Sequence, residues 1–202
     1  MKLYFSSASP FVRKVVVLLH ELDQIETVEL VSTATTALAS DVDLIAANPL
    51  AKLPALARTD GPTLYDSRVI TTYLNDLFGG ALYPQDGSRW DVLTLEATGD
   101  GIMESAVSMT YEGRLRPPQK QSEEWVEAQW QKVSRALDAL ENRWLANLQG
   151  PLDMGQISVG CALGYLDLRH DARNWRADRG ALAQWYESFA ERPSMKSTIP
   201  AV

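Results

Sequence analysis

Residues 48–67 read NPLAKLPALARTDGPTLYDS, and the elements that this stretch predicts decide the fold. A loop leads into a strand that begins at Pro54, a turn and a second short strand follow, and an Asp66-Ser67 pair then opens a helix. Aspartate and serine are common at helix starts, because their side chains accept hydrogen bonds from the first free N–H groups. The stretch therefore predicts a sheet edge beside a helix N-terminus, an arrangement that can bind a short peptide.

The physical basis of this prediction lies in the groups that Pro54 and the helix start leave available. Proline has no N–H to give to a sheet, so it is tolerated at a strand's first residue, and a cis Leu53-Pro54 bond turns the N–H and C=O of Leu53 outward. The Ser67 hydroxyl and the free helix N–H groups suit a carboxylate, and Asp66 suits an ammonium group. Each half taken alone also fits an ordinary strand turn or helix cap.

Composition indicates a globular protein and excludes several classes of function. The chain has 202 residues, of which 46% are hydrophobic, and a net charge of -7, which argues against a nucleic-acid-binding face. No apolar run approaches the roughly 20 residues that span a bilayer, and the first residues do not resemble a signal peptide. We therefore expect a cytoplasmic protein that does not bind membranes. One cysteine, Cys161, and two histidines are too few for a structural zinc site, so we expect no metal.

Turn residues divide the chain near residue 80. Before that point, Ser9 and Pro10 are strong signals for the start of an apolar helix. The predicted order is βαβ, then α, then ββα, which makes a compact mixed sheet with helices on both faces. The glycine-containing segment 80–87 is typical of a linker, so the predicted domains are 1–79 and 88–202. The predicted strands are 2–5, 27–31, 55–56 and 63–65, and the predicted helices are 11–22, 41–47 and 67–78.

The second part of the chain predicts helices only. Apolar residues from Val126 to Trp144 alternate steps of four and three, which places them along one stripe of a long helix. Asp153 with Gln156 fits a capping box before a segment that is apolar nearly all round. We therefore expect that segment to form the buried centre of a helix bundle.

With these motifs the chain resembles the glutathione S-transferase family over essentially its whole length. It looks like the serine-type bacterial members and is similar also to the tau, theta and zeta classes. The resemblance implies a thioredoxin-like α/β domain followed by an all-helical domain, glutathione as co-substrate, and a homodimer. The segments that carry it are SPFVRKV at 9–15, NPLAKLPAL at 48–56, YDSRVI at 65–70, and 153–169 with its Gly-Tyr-Leu-Asp.

The resemblance also implies which residues bind glutathione. Leu53 matches the residue whose main chain pairs with the cysteinyl unit, ahead of a cis proline at Pro54. Asp66 and Ser67 match the acid and serine on the γ-glutamyl end. Lys52 falls where a side chain often approaches the glycyl end.

The residue that contacts the sulfur is expected to be Ser9, which matches the serine of the family's Ser-Pro-Phe opening. Ser6 and Ser7 remain alternatives, because in zeta-like members the catalytic serine stands earlier in a Ser-Ser-x-Ser run. Ser9 is the first choice because it alone directly precedes Pro10. Ala8 stands where a cysteine often occurs, which disfavours a zeta-type isomerase and thiol-disulfide exchange.

The first helix of the second domain is expected to line the pocket for the electrophile. Met103, Val107 and Tyr111 are spaced by four residues and share one stripe, a pattern that fits core packing as well. Arg114 and Arg116 either meet an anionic second substrate or lie on the surface.

The implied activity is that of a transferase with a detoxifying role, which activates the glutathione thiol for attack on an apolar electrophile or an organic hydroperoxide. A hydrogen bond to a charged acceptor contributes about 1.5 to 3 kcal/mol and a helix N-terminus about 0.3 to 1 kcal/mol. At about 1.4 kcal/mol per pKa unit, these effects lower a thiol pKa of about 8.5 by about one to three units. Two alternatives stay open: a non-catalytic glutathione-binding carrier or regulator of the same fold, and a glutathione-dependent isomerase or dehalogenase.

Overall fold

A computed structural model describes residues 1–200, and the chain forms two compact units. The first unit contains Met1–Tyr83 together with the segment that begins at Pro193, and the second contains Pro84–Arg192. Within residues 1–200, every strand lies in the first unit and the second unit is helical. The predicted class, an α/β part followed by an all-helical part, is confirmed.

The first unit is built on a three-stranded sheet of β1 (Lys2–Phe5), β2 (Glu29–Ser32) and β3 (Ala55–Ala57), with the strand order β2-β1-β3. Strand β1 pairs in parallel with β2 and antiparallel with β3, so the chain makes one crossover and then returns along the other edge of β1. Helices α1 (Pro10–Glu21) and α3 (Ser67–Leu77) pack together, and α3 also packs on β3. The elements are β1 Lys2–Phe5, α1 Pro10–Glu21, β2 Glu29–Ser32, α2 Val42–Ala47, β3 Ala55–Ala57 and α3 Ser67–Leu77.

The predicted strand at 63–65 is wrong, because only Leu64 pairs with the sheet. Leu64 and Leu56 exchange two hydrogen bonds of 2.9 Å each, which form an isolated bridge. On one side Pro62 has no N–H with which to extend the pairing. On the other side Asp66 already caps α3. The bridge nevertheless fixes the position of the residues that open α3.

A short helix at the C-terminal end, α9 (Pro193–Ser197), belongs to the first unit rather than to the helical one. It packs on α1, whose Arg13 donates hydrogen bonds to the Met195 carbonyl at 3.1 Å and to the Thr198 hydroxyl at 3.2 Å. At the other end of α9, the Ser194 hydroxyl donates to the Glu21 carboxylate. Arg13 and Glu21 therefore hold the two ends of α9 against α1.

The second unit is organised around α7 (Met154–His170), in which every residue from Met154 to Leu166 is buried. This confirms the predicted central helix. Asp153 caps it by accepting a hydrogen bond of 2.9 Å from the Gln156 N–H. Within residues 1–200, none of the helices combines the length and apolar surface that a membrane span requires. The helices of this unit are α4 Arg89–Leu115, α5 Glu123–Arg143, α6 Leu145–Leu148, α7 Met154–His170 and α8 Gly180–Ala190.

The predicted capping box is only half formed. The Gln156 side chain, which in a capping box accepts from the backbone N–H of the cap residue, here donates to carbonyl groups of the preceding loop. Its amide nitrogen lies 2.7 Å from the Pro151 oxygen and 3.3 Å from the oxygens of Asn147 and Gly150. Gln156 therefore fixes the loop that enters α7.

Close contact between α4 and α7 depends on Gly99, and its replacement by alanine is expected to destabilise the protein. A Cβ at this position would lie 2.7 Å from the Ser158 carbonyl carbon and 2.9 Å from its oxygen, both backbone atoms. Overpacking of this kind costs about 1–3 kcal/mol. Gly101, on the same helix, has nothing within 4 Å of a Cβ, so Gly101→Ala should be neutral or stabilising. Denaturant unfolding of both variants measures the difference, and equal stabilities would contradict this account.

Candidate functional site

The register of the sheet brings the predicted site residues of the first unit together. Strand β1 runs antiparallel to β3, with Tyr4 opposite Ala55, so the residues that follow β1 pass on one side of the entry to β3. Leu64 is bridged to Leu56, so the residues that lead from it to α3 pass on the other side of that entry. Leu53, which directly precedes Pro54 at this entry, is therefore flanked by the loop that enters α1 and by the segment that opens α3.

The main chain of Leu53 is available for pairing. Among residues 1–200, no group forms a hydrogen bond with its N–H or its C=O. The Leu53-Pro54 peptide bond is cis, as predicted, and Pro54 is buried at the entry to β3. One main-chain donor and acceptor pair is thus available at the entry to β3.

The Ser9 hydroxyl caps α1 and retains a hydrogen-bond donor. Its oxygen accepts from the Val12 N–H at 3.3 Å, and the Ser9 N–H donates to the Ser6 carbonyl at 3.1 Å. Since the oxygen acts as the acceptor in the cap, the hydroxyl hydrogen is left to donate elsewhere. Ser9 and Ser6 are both half-buried, whereas Ser7 is exposed. The three serines therefore lie together on the loop that enters α1, and Ser9 alone caps the helix.

Asp66 and Ser67 form the start of α3. One carboxylate oxygen of Asp66 accepts from the Arg68 N–H at 3.0 Å, and the other accepts from the Arg68 guanidinium at 3.2 Å. Partial burial raises the pKa of the Asp66 carboxyl, but these hydrogen bonds and the charge of Arg68 together outweigh burial and hold the pKa below its usual range. Asp66 is therefore anionic at neutral pH. The Ser67 hydroxyl, on a residue that is only 3% exposed, forms no hydrogen bond with any described residue.

The loop before Leu53 is fixed by Asn48, to which the sequence analysis assigned no role. The buried Asn48 amide donates to the Lys52 carbonyl at 2.8 Å, and its oxygen accepts from the Leu50 N–H at 3.0 Å. An asparagine before Pro49 is a typical signal of such a side-chain-stabilised turn, and it could have been read from the sequence. The Lys52 side chain is exposed, and its ammonium group forms no ion pair or hydrogen bond with residues 1–200.

In the second unit, the three residues predicted for the electrophile pocket follow one face of α4. Met103 is completely buried, Val107 is half-buried and Tyr111 is 39% exposed. Only Val107 and Tyr111 therefore have accessible surface for a ligand. Of the two arginines that follow, Arg116 lies 3.5 Å from the Glu112 carboxylate, so its charge is already paired.

The site residues of the first unit combine groups that recognise a peptide with groups that stabilise an anion. They provide a hydroxyl donor at a helix N-terminus, a strand-like main-chain pair, an anionic carboxylate and a second hydroxyl at another helix N-terminus. Donors at a helix N-terminus favour negative charge, including a thiolate. Among the described residues, no group of three or more His, Cys, Asp or Glu side chains could hold a metal ion.

Two domain families match the sequence. Residues 3–82 match the glutathione S-transferase N-terminal domain, and residues 123–188 match the glutathione S-transferase C-terminal domain. A curated relative, the uncharacterized GST-like protein YibF of Escherichia coli (strain K12), is 33% identical over 204 residues. That alignment covers 99% of this chain and 98% of the relative.

Solved structures extend the similarity to three dimensions. A glutathione transferase family member from Pseudomonas fluorescens Pf-5 with bound glutathione is 48% identical, with a TM-score of 0.97 over 100% of this chain and 99% of that chain. A structure from the same organism with bound S-(propanoic acid)-glutathione is 46% identical, with a TM-score of 0.92 and full coverage of both chains. A glutathione S-transferase from Methylobacillus flagellatus KT with glutathione bound is 34% identical, with a TM-score of 0.85 over 99% of each chain.

Proposed function

Because the chain belongs to the glutathione S-transferase family, we propose that it is a glutathione transferase that acts in the cytoplasm. Glutathione binds in the first unit, and the protein activates its thiol for attack on an apolar electrophile or an organic hydroperoxide. Detoxification of such compounds is the corresponding role. The glutathione ligands of the related structures support the choice of co-substrate.

The observation that carries the proposal is the unpaired main chain of Leu53, which lies between two serine-bearing helix starts. An extended cysteinyl unit pairs with Leu53 in the manner of an added strand. The γ-glutamyl carboxylate then meets the Ser67 hydroxyl and the N-terminus of α3, and its ammonium group meets Asp66. Lys52, whose ammonium group is unpaired, binds the glycyl carboxylate.

The chemistry proposed for Ser9 is stabilisation of charge on the sulfur. Its hydroxyl donates a hydrogen bond to the thiolate, which lowers the thiol pKa and raises the thiolate fraction at neutral pH. With a carbon electrophile, the thiolate forms the C–S bond and the leaving group departs with the bonding electrons. With a hydroperoxide, two glutathione molecules are oxidised to the disulfide while the peroxide is reduced to an alcohol and water. Val107 and Tyr111 contact the apolar electrophile beside Met103.

The test measures the pKa of the bound thiol through the ultraviolet absorbance of the thiolate. An activating enzyme lowers this pKa from about 8.5 by about one to three units. It also conjugates glutathione to the electrophile chlorodinitrobenzene or reduces cumene hydroperoxide. S-methylglutathione, which has no thiol proton, serves as the control for absorbance changes of the protein. Binding of glutathione with an unshifted thiol pKa would identify the carrier alternative instead, and absence of binding at millimolar glutathione would overturn the proposal altogether.

The active form is proposed to be a homodimer. This proposal rests on membership of the glutathione S-transferase family. The first unit also leaves several large apolar side chains exposed. Light scattering should then give about twice the chain mass of 22.4 kDa. The side chains in question are Leu38, Val42, Leu50 and Val69, which are 47% to 76% exposed.

A further inference from the structure

The peptide plane between Lys52 and Leu53 carries the N–H group that the proposed function pairs with the cysteinyl unit. A trans peptide is planar, and its C=O and N–H groups point in opposite directions. Within residues 1–200 the cis bonds lie at Leu53-Pro54 and Tyr65-Asp66, so the bond between Lys52 and Leu53 is trans. A contact that holds the Lys52 carbonyl therefore also sets the direction of the Leu53 N–H.

The side chain that holds the Lys52 carbonyl is that of Asn48. Its amide nitrogen donates to this carbonyl at 2.8 Å, and its amide oxygen accepts from the Leu50 N–H at 3.0 Å. These partners determine the orientation of the amide, because exchanging its oxygen and nitrogen would place acceptor against acceptor and donor against donor. Asn48 is only 1% exposed, so its side chain is shielded from water. The Lys52 carbonyl is thus held in one direction.

The backbone before Lys52 adopts a conformation that its residues do not favour by themselves. Ala51 has a φ of 50°, in the left-handed region that alanine adopts much less readily than glycine. Its N–H donates to the Asn48 carbonyl at 2.8 Å, and its carbonyl accepts from the Thr35 hydroxyl at 3.5 Å. A residue keeps such a conformation only where the surrounding contacts determine it. The turn of residues 48–52 is therefore fixed by its contacts rather than by local preference.

Leu53 lies between this turn and another fixed segment. The residues that follow it enter β3, where Ala55 and Leu56 are completely buried. The N–H and C=O of Leu53 have no partner of their own among the described residues. The direction of its N–H therefore depends on the contacts of its neighbours, and the hydrogen bond from Asn48 to Lys52 is the nearest of these contacts in the chain.

We propose that Asn48 is a positioning residue for glutathione, because it orients the Leu53 N–H before the cysteinyl unit binds. This inference rests on the proposed function, in which Leu53 pairs with that unit. The Asn48 side chain is too deeply buried to contact glutathione and acts through the Lys52 peptide plane. Without it, binding has to order this plane, and ordering the backbone of one residue lowers an affinity roughly 5- to 30-fold.

The test compares Asn48→Ala with the matched variant Asn75→Ala. Asn75 is also buried in the first unit, and its side-chain oxygen likewise accepts from a backbone N–H, that of Leu82 at 3.0 Å. Both variants should lower the midpoint of thermal unfolding. Only Asn48→Ala should raise the dissociation constant of S-methylglutathione and the KM for glutathione, roughly 5- to 30-fold. The kcat and the thiol pKa at saturating glutathione should be unchanged, because Ser9 supplies the sulfur contact.

Nuclear magnetic relaxation of the Leu53 amide nitrogen measures the proposed effect directly. In the free wild-type protein its order parameter should be near 0.85, as in rigid backbone, and in Asn48→Ala it should fall below about 0.6. Asn48→Asp is a second variant of the same shape, for use if the alanine variant does not fold. At mildly alkaline pH its carboxylate still accepts from the Leu50 N–H but has no proton to donate to the Lys52 carbonyl, so it should weaken binding alike.

The outcomes separate this inference from the proposed function. If the wild-type protein binds neither glutathione nor S-methylglutathione, the proposed function fails and this inference fails with it. If the wild-type protein binds them but Asn48→Ala and Asn48→Asp keep its affinity, Asn48 has no positioning role. The same conclusion follows if Asn75→Ala weakens binding as much as Asn48→Ala does, or if Asn48→Ala lowers kcat and leaves KM unchanged.

Discussion

Replacement of Ser9 by alanine is expected to raise the pKa of the bound glutathione thiol by about one to two units, because it removes a hydrogen bond to a charged acceptor worth about 1.5–3 kcal/mol. A thiol of pKa about 8.5 is still about 3% ionised at pH 7, so the thiolate fraction, and with it kcat/KM, should fall roughly 8- to 30-fold. The affinity for glutathione should change much less, since Leu53, Asp66 and Ser67 remain. Titration of thiolate absorbance and steady-state kinetics measure the two quantities.

The same substitution also removes a helix cap, and a matched control separates the two effects. Ser122 caps α5 with the same geometry, accepting from the Trp125 N–H at 3.2 Å. Ser122→Ala should therefore cost a similar amount of stability, about 1 kcal/mol, and leave the thiol pKa unchanged. Ser9→Thr keeps both the hydroxyl and the cap and should retain most of the activity. A thiol pKa that is unchanged in Ser9→Ala but raised in Ser6→Ala would transfer the role to Ser6.

Replacement of Asp167 by alanine is expected to destabilise the protein by about 3 kcal/mol, because it leaves a buried donor and a cation without their acceptor. The Asp167 carboxylate accepts from the indole nitrogen of Trp175 at 2.7 Å and from the Arg176 guanidinium at 2.6 and 2.9 Å. Trp175 is only 1% exposed, and the Arg176 guanidinium lies 4.4 Å above its ring. One carboxylate thus ties the end of α7 to the chain that leads into α8.

The control for Asp167 is an ion pair of similar length on the surface. Glu127 lies 2.6 Å from Arg173, and its side chain is 50% exposed. Glu127→Ala should cost only about 0–1 kcal/mol, as exposed pairs generally do. Denaturant unfolding measures the free energy of unfolding of both variants. If Asp167→Ala lowers it no more than Glu127→Ala does, the hydrogen bond between Asp167 and Trp175 does not contribute to stability.

Local chemistry made much of the first unit predictable. The caps by Ser9 and Asp66 and the bounds of β1 follow from residues next to one another in sequence, and the structure contains all of them. The strand predicted at 63–65 depended on pairing with a distant segment, and only Leu64 found a partner. Where a feature depends on neighbours in the chain, its sequence signal is therefore strong.

Contacts between distant residues explain what the sequence could not reveal. Arg13 has the spacing of an ordinary helix residue, and nothing local indicates that it binds the carbonyl of Met195, 182 residues away. Arg114 and Arg116 look equivalent in sequence, and only the ion pair with Glu112 separates them.

The attachment of α9 to α1 affects how the protein can fold during its synthesis. The first unit is discontinuous in sequence, so its final piece leaves the ribosome only after all of α4 to α8 has been made. Until Met195 has been synthesised, the Arg13 guanidinium lacks the carbonyl group that it binds in the finished protein. Domains generally fold as units during synthesis, but this first unit is complete only when the segment that begins at Pro193 has been made. A nonsense codon or a proteolytic cut just before Pro193 would therefore damage the part of the protein that was translated first.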